Sequence, residues 1–108
     1  LADNARKHAC QMLVDAVSDK AKDNTPAFCT GDFNATPDAP EIATTICQSG
    51  ILKDAYREAA VQHGALFTFP SKKTRIDFIF VKHATVLSTR TIVSSLSDHY
   101  PMVIVVEI

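Results

Sequence analysis

Three short stretches of this sequence place a carboxylate at the end of an apolar run or inside one: GDFN at 31–34, RIDF at 75–78 and SDH at 97–99. Burying a lone carboxylate is costly, so each stretch requires a metal ion, another cation or a hydrogen-bond donor. Convergence of the three on one site is the economical solution. There, an aspartate beside the imidazole can fix its tautomer and stabilise its protonated form, while other carboxylates bind a divalent cation and position water.

The first two stretches also have interpretations without chemistry. Asp32 and Asn34 could form a turn at the end of a strand, since Asp and Asn side chains bond their own backbone. Asp77 could instead pair with Arg75 or Lys82. Either outcome would give these carboxylates structural roles only.

The third stretch and a nearby basic turn leave similar choices. Asp98 and His99 could cap a helix or form a satisfied surface pair. Lys72, Lys73 and Arg75 could grip substrate phosphates, but a solvated hairpin turn is the favoured interpretation. The remaining histidines lack motif context and are predicted to be exposed: His8, His63 and His83.

Helical segments are expected mainly in the first half of the chain. Apolar residues at helical spacing predict an amphipathic helix over 4–21 and a shorter one that begins at Leu52 and ends near Gly64. Another helix is predicted over 40–49. Its start, DAPE at 38–41, has the form of a capping box, and Gly50 suits the left-handed position that ends a helix.

Strands are predicted where β-branched and aromatic residues predominate. A short apolar run at 27–30 indicates a strand buried on both faces. In the segment RIDFIFV, alternation places Asp77 on an otherwise apolar face. Because no internal repeat or linker is found, the chain is predicted to be one α/β unit. The later strands are predicted over 66–69, 75–81, 84–93 and 102–108.

The composition limits the classes of function. The chain has 108 residues, 46% of them hydrophobic, and a formal net charge of -1, so no overall positive field draws it to nucleic acid or anionic lipid. No apolar run is long enough to cross a bilayer. The three cysteines lack zinc or redox spacing and are predicted to be buried free thiols. Since the first residue is Leu1, a signal peptide cannot be judged and the localisation stays open.

The three stretches, extended to GDFNATPDAPEI, RIDFIFV and SDHYPMV, resemble in type and order the motifs of the endonuclease/exonuclease/phosphatase superfamily, metal-dependent phosphohydrolases related to DNase I. The resemblance implies an α/β (α+β) fold: half of a four-layer α/β sandwich, with a mainly antiparallel sheet and helices on one face. Residues 1–108 would be the carboxyl-terminal half of one domain, because motifs of the family's earlier half are absent. The uncovered sheet face would then pack against the missing amino-terminal half or a second copy.

The resemblance also implies a role for each candidate residue. Asp32 would orient and deprotonate the attacking water, and Asn34 would hydrogen-bond beside it at the phosphate. His99 would contact the scissile phosphate and stabilise its developing charge, while Asp77 holds the imidazole in place. Asp98 and Asp32 would belong to the site of a Mg²⁺ or Mn²⁺ ion, which suits oxygen ligands.

The implied function is a divalent-metal-dependent hydrolase of phosphoester bonds, phosphodiester or phosphomonoester, that acts by in-line water attack. Its partner is a phosphoester substrate; nucleic acid is compatible with the family but is not indicated by charge, and the chain contains no Trp, which argues against DNA repair. This segment alone is expected to be inactive. The alternative is a non-catalytic fragment or degenerate family member that acts as a binding or assembly module. A third possibility is an enzyme completed in trans by another chain.

Overall fold

Helical and strand-forming segments alternate along the chain and produce a mixed α/β fold. The computed structural model describes residues 2–21 and 23–108, a range that includes every predicted site residue. The elements are α1 (Ala2–Lys20), β1 (Ala27–Asp32), a π-helical segment (Glu41–Ile46), a 3-10 turn (Cys47–Ser49), β2 (Lys53–Asp54), α2 (Ala55–Glu58), β3 (Val61–Gly64), β4 (Asp77–Lys82), β5 (Thr85–Thr91) and β6 (Met102–Glu107).

The described strands form two three-stranded sheets. The first has the order β1-β4-β2, and both of its pairings are antiparallel. The second has the order β3-β5-β6, in which β3 runs parallel to β5 and β6 runs antiparallel to it. The predicted mixed α/β class with mainly antiparallel strands is therefore confirmed, although the strands are divided between two sheets.

The main core lies between β4 and the helical segments. Alternation along β4 buries Phe78 and Phe80 in this core, while Asp77 and Ile79 point to the other face and are half-buried. Phe33, which follows β1, packs edge-on against both buried phenylalanine rings. Residues from α1 and the π-helical segment complete the core: Cys10, Val14, Ile42 and Ile46. The packing fixes β4 and hence the position of Asp77 at its start.

The helix predicted from Leu52 to near Gly64 is wrong in extent, and its last four residues form β3 instead. Residues 53–54 form the edge strand β2, and α2 covers only Ala55–Glu58. The reason is a local cap, because the Asp54 carboxylate accepts a hydrogen bond from the Tyr56 N–H at 3.1 Å and starts the helix there. At the other end, Ala59 adopts an extended backbone that stops the helix.

The strand predicted over 66–69 is also wrong. The strand in this part of the chain is β3, at Val61–Gly64, which the sequence pattern did not indicate. Residues 66–69 form only one isolated bridge, between Phe69 and Thr74. They follow an irregular path because the backbone and hydroxyl of Thr68 bind the neighbouring segments instead of a strand ladder.

The capping box predicted at 38–41 does not form. Asp38 accepts a hydrogen bond from the Thr36 hydroxyl at 2.5 Å, and Glu41 pairs with Arg6 at 2.9 Å. The helix after Pro40 starts without a side-chain cap and is π-helical, then 3-10. Its predicted end is confirmed, since Gly50 has a φ of 76° in the left-handed region.

The prediction that the strand at 27–30 is buried on both faces is wrong as well. Phe28 is 44% exposed, whereas the next residue, Cys29, is half-buried. A second exposed apolar surface lies on β6, where Val103 and Val105 are 48% and 52% exposed. We call these two valines the open face of β6. Apolar side chains lie on it without cover from the described residues.

The remaining expectations concern the cysteines and the membrane. All three cysteines are free thiols, with Cys10 buried and both Cys29 and Cys47 half-buried. Burial raises the pKa of each thiol above its ordinary value. Among the described helices, none has the length and apolar character needed to span a bilayer.

Candidate functional site

Strand pairing brings two of the predicted carboxylates together. In the antiparallel ladder between β1 and β4, Asp32 at the end of one strand lies opposite Asp77 at the start of the other. Neighbouring strands lie about 4.8 Å apart, so directly opposed residues are close. The sheet thus holds both carboxylates at one end, as the convergence hypothesis requires.

The histidine of the third motif joins these carboxylates from the loop before β6. His99 Nδ1 lies 2.7 Å from Asp77 Oδ2, and His99 Nε2 lies 3.8 Å from Asp32 Oδ2. The Phe69 ring packs against the imidazole with its centroid 4.9 Å away. Asp32, Asp77 and His99 can each offer one side-chain atom to a metal ion, and these three atoms all lie within 4.8 Å of one another.

The charge state of the imidazole follows from these neighbours. The hydrogen bond with Asp77 raises the pKa of His99 above its ordinary value, against a smaller opposing effect of desolvation. The negative charges of Asp77, Asp32 and Asp98 raise it further. Because an ionised carboxylate can only accept, Nδ1 donates to Asp77, and the protonated form of the ring also carries an N–H at Nε2, on its other side. That N–H is a suitable donor for an anion.

Asn34 is placed by a turn at the end of β1. Its backbone N–H donates to Asp32 Oδ1 at 2.8 Å, and its φ of 50° lies in the left-handed region that Asn tolerates. The turn considered above as an alternative to function is therefore present. It also fixes the Asp32 carboxylate through one oxygen, so the turn and a functional role are compatible.

Thr68 is a buried residue of the site that the sequence pattern did not indicate. It is fully buried, and its hydroxyl oxygen accepts hydrogen bonds from the N–H groups of Ile76 at 3.1 Å and Asp77 at 3.2 Å. Its carbonyl accepts from the Tyr100 N–H at 2.7 Å. One threonine therefore ties the start of β4 to the residue after His99. No local signal marks it, because the role depends on contacts distant in sequence.

Arg75 does not pair with Asp77. It forms a two-pronged ion pair with Asp54, at 2.8 and 3.2 Å, and its guanidinium stacks over the rings of Tyr56 and Phe78. Since Arg75 is only 8% exposed, the solvated-turn interpretation is wrong for this residue. The pairing instead anchors the segment that leads into β4.

The predicted exposure of Lys72, Lys73 and the three remaining histidines is confirmed. Lys72 and Lys73 are exposed on the turn, and Lys82 binds the Ala21 carbonyl at 2.6 Å rather than Asp77. The three remaining histidines are all exposed: His8, His63 and His83.

Asp98 is not part of the converging group. Its side chain is exposed and accepts a hydrogen bond from the Ser97 hydroxyl at 3.4 Å. Ser97 also accepts from the His99 N–H at 3.1 Å, so the loop is organised by local hydrogen bonds. A role for Asp98 as a metal ligand stays a prediction.

The donor atoms indicate what kind of ion the site suits. Nδ1 of His99 is engaged by Asp77, and the neighbouring carboxylates favour the protonated form of the ring, in which Nε2 has no lone pair. Oδ2 of Asp32 remains open on a side chain that is 40% exposed. Carboxylate oxygen is the donor preferred by Mg²⁺ and Mn²⁺. The carboxylate oxygens of this group therefore fit a hard cation such as Mg²⁺ or Mn²⁺.

Comparisons with known proteins agree on one family. The family model described as "Endonuclease/Exonuclease/phosphatase family" matches residues 2–99. A structure of an endonuclease/exonuclease/phosphatase from Bacteroides vulgatus is 30% identical, with a TM-score of 0.87 over 97% of this chain and 44% of that one. A mannosyl-6-phosphatase from Bacteroides thetaiotaomicron is 22% identical, with a TM-score of 0.83 over 97% of this chain and 46% of that one.

A further endonuclease/exonuclease/phosphatase family protein from Bacteroides thetaiotaomicron is 23% identical, with a TM-score of 0.82. The match covers 94% of this chain and 43% of that one. The chain thus spans less than half the length of each of these three structures. None of the curated proteins compared with it matches.

Proposed function

This chain belongs to the endonuclease/exonuclease/phosphatase family, and on that premise we propose that it carries part of the active site of a metal-dependent phosphoester hydrolase. The observation that carries the proposal is the contact of His99 with Asp77 and its approach to Asp32. This group lies at a sheet end rather than in the core, where a substrate can reach it.

In the proposed reaction, His99 binds the scissile phosphate. Its Nε2–H points away from Asp77 and toward the space beside Asp32, from which it is separated by 3.8 Å. That separation is too long for a direct hydrogen bond, so the Nε2–H can donate to a phosphate oxygen that approaches beside Asp32. A cationic donor at this position stabilises the negative charge that develops in the transition state.

Asp32 is the proposed base for the attacking water. The Asn34 N–H fixes one carboxylate oxygen, so the other, Oδ2, is held in a defined direction and can accept the proton of the water. Asn34 is exposed, and its side-chain amide can donate to a phosphate oxygen. Asp77 acts through His99, whose ring orientation and protonated form it stabilises.

A divalent ion completes the proposed site. Asp32 and Asp98 are the carboxylates of this chain that would hold Mg²⁺ or Mn²⁺, with other ligands supplied outside these residues. When bound, such an ion neutralises phosphoryl charge and polarises the phosphorus centre. His99 is assigned to the phosphate, because Nδ1 is engaged by Asp77 and the protonated ring, which the nearby carboxylates favour, offers Nε2–H as a donor.

We also propose that the open face of β6 is covered in the working protein by the part of the fold that its structural neighbours have in addition. Each neighbour is more than twice the length covered by this chain. Val103 and Val105 are apolar and about half exposed, as expected of a face that packs against another layer. A second copy of the chain is the alternative occupant.

The test is hydrolysis by the whole protein of p-nitrophenyl phosphate and bis(p-nitrophenyl) phosphate, with Mg²⁺ or Mn²⁺. Both ester classes are needed because 22% identity to a mannosyl-6-phosphatase shows a shared fold and does not select a substrate. His99→Ala should lower kcat by at least about a hundredfold, since general acid-base and charge-stabilising groups contribute factors of this size. His8→Ala, which changes an exposed histidine on α1, is the matched control.

Loss of turnover in His99→Ala with normal turnover in His8→Ala would support the proposal. If neither ester is hydrolysed with either metal, the proposed hydrolase function fails and a non-catalytic binding or assembly module becomes the better account.

A further inference from the structure

A cleft of about 490 Å³ opens beside the proposed site, and no step of the proposed reaction uses it. Its volume lies within the range of about 300–1,000 Å³ typical of small-molecule sites. Polar and charged groups line it together with an aromatic wall. We call it the basic cleft, after the following lining residues: Arg6, Lys7, Asn34, Glu41, Phe69 and Lys72.

Two residues connect the basic cleft to the reacting groups. Asn34 lines the cleft and also bonds Asp32 through its backbone N–H. Phe69 lines the cleft and packs against the His99 imidazole at 4.9 Å. Asn34 and Phe69 are therefore shared between the cleft and the position proposed for the scissile phosphate.

The charges in the cleft do not cancel. On one wall, Arg6 forms an ion pair with Glu41 at 2.9 Å, and the Glu41 side chain is almost fully buried. This contact and the charge of Lys7 lower the pKa of Glu41, so its carboxylate is ionised at neutral pH. The four charged residues, Arg6, Lys7, Lys72 and Glu41, carry three positive charges and one negative charge. The cleft is therefore cationic, although the whole chain has a net charge of -1.

Two of these cations are available to a ligand. Among the described residues, no carboxylate lies within 4.0 Å of the ammonium group of Lys7 or Lys72. Lys7 comes from α1, while Lys72 comes from the turn between Phe69 and Thr74. Flexible ammonium groups on two separate elements suit an anion that enters between them.

We propose that the basic cleft binds a second anionic group of a small phosphoester substrate, a phosphate or a carboxylate, while the scissile phosphate lies at His99. The inference rests on the proposed hydrolase function and names the substrate class for it. Lys7 and Lys72 contact the second anion, and the Phe69 wall packs against the carbon skeleton that joins the two groups. The enzyme should therefore prefer doubly anionic substrates over simple phosphate esters.

The experiment compares a hexose bisphosphate with the corresponding hexose monophosphate in the whole protein, by release of inorganic phosphate. The variant is Lys7→Gln combined with Lys72→Gln. The matched control is Lys20→Gln combined with Lys73→Gln, which removes exposed lysines from the same helix and the same turn, neither of which lines the cleft.

We expect the variant to raise KM for the bisphosphate about tenfold, because two charge-assisted contacts are lost. Its kcat and its KM for the monophosphate should change less than about twofold, since neither lysine contacts the reacting phosphate. The preference for the bisphosphate should also fall as salt rises, because exposed charges are screened. The control should behave as the parent protein.

Equal KM ratios in the parent, the variant and the control would overturn the inference while leaving the proposed hydrolase function intact. If neither sugar is hydrolysed, binding of the bisphosphate to the His99→Ala protein is measured by calorimetry, with and without the two lysine substitutions. Binding that is unaffected by loss of Lys7 and Lys72 would again overturn it. Competition by a short oligonucleotide at least as strong as by the bisphosphate would also overturn it, in favour of a nucleic-acid path.

Discussion

Replacing Thr68 with valine should damage both stability and turnover, because one hydroxyl serves two backbone groups. In the parent protein that oxygen accepts from the N–H groups of Ile76 and Asp77 in a fully buried position. Valine keeps a similar volume but offers no acceptor. An unsatisfied buried polar group costs about 1–3 kcal/mol, and the two amides are partly buried, so we take the lower figure for each. The expected loss is about 2 kcal/mol of unfolding free energy.

The same substitution at Thr89 provides a control with the opposite expectation. Thr89 is 1% exposed, and among the described residues its hydroxyl has no hydrogen-bond partner. Thr89→Val therefore removes a buried polar atom that has no partner, and should leave stability unchanged or raise it by up to about 1 kcal/mol. The two variants make the same chemical change at two buried sites, so the difference between them isolates the hydrogen bonds.

The assay is urea unfolding of the whole protein together with steady-state hydrolysis. Thr68 also holds the residue after His99 through its carbonyl, so loosening it should misplace the Asp77 and His99 pair. Displacements near 1 Å can cost about a hundredfold in rate, and we expect kcat to fall about 10–100-fold with little change in KM. Thr68→Ser keeps the hydroxyl and should recover most of the rate. Equal stability of Thr68→Val and Thr89→Val would refute this reasoning.

Three further predictions follow from the same geometry. Asp77→Asn should lower kcat less than His99→Ala does, because it weakens the orientation of the imidazole without removing it; an unchanged kcat would show that the pairing has no role. By NMR titration, His99 should have a pKa above about 6.5, which should fall in Asp77→Asn. The contact therefore contributes its full stabilisation below the unfolded-state pKa of His99, and this contribution is lost as the pH rises through the higher folded-state pKa. A titration midpoint of His99 at the ordinary histidine value would contradict this prediction. Arg75→Gln should cost about 3–5 kcal/mol in urea unfolding, since it leaves the buried Asp54 carboxylate without its cation, and a loss below about 1 kcal/mol would show that the ion pair is dispensable.

The convergence of Asp32, Asp77 and His99 was predictable because its signals are local. Each motif puts a polar residue where an apolar strand begins or ends, and such ends meet when strands pair. The antiparallel ladder between β1 and β4 places Asp32 opposite Asp77. The third motif lies directly before β6, and it brings His99 into contact with Asp77. Family resemblance supplied the expected roles, which strand patterning alone could not distinguish from simple turns.

The supporting groups were not predictable because their partners are distant in sequence. Arg75 pairs with Asp54 across 21 residues, and Arg6 pairs with Glu41 across 35. These long-range pairs overrode two local expectations, the solvated turn and the capping box. Val61–Gly64 was assigned to the end of a predicted helix for a similar reason: its four residues are exposed, and its pairing with β5 is what defines it as a strand.

The central claim is that Asp32, Asp77 and His99 act together on a phosphate ester, and turnover by Asp32→Asn in the whole protein tests it most directly. The substitution preserves shape and the turn with Asn34 but removes the charge that accepts a proton. We predict that kcat falls by at least about a hundredfold with the melting temperature nearly unchanged, because the group acts mainly on the transition state. An Asp32→Asn protein that hydrolyses phosphate esters at the parent rate would contradict the account.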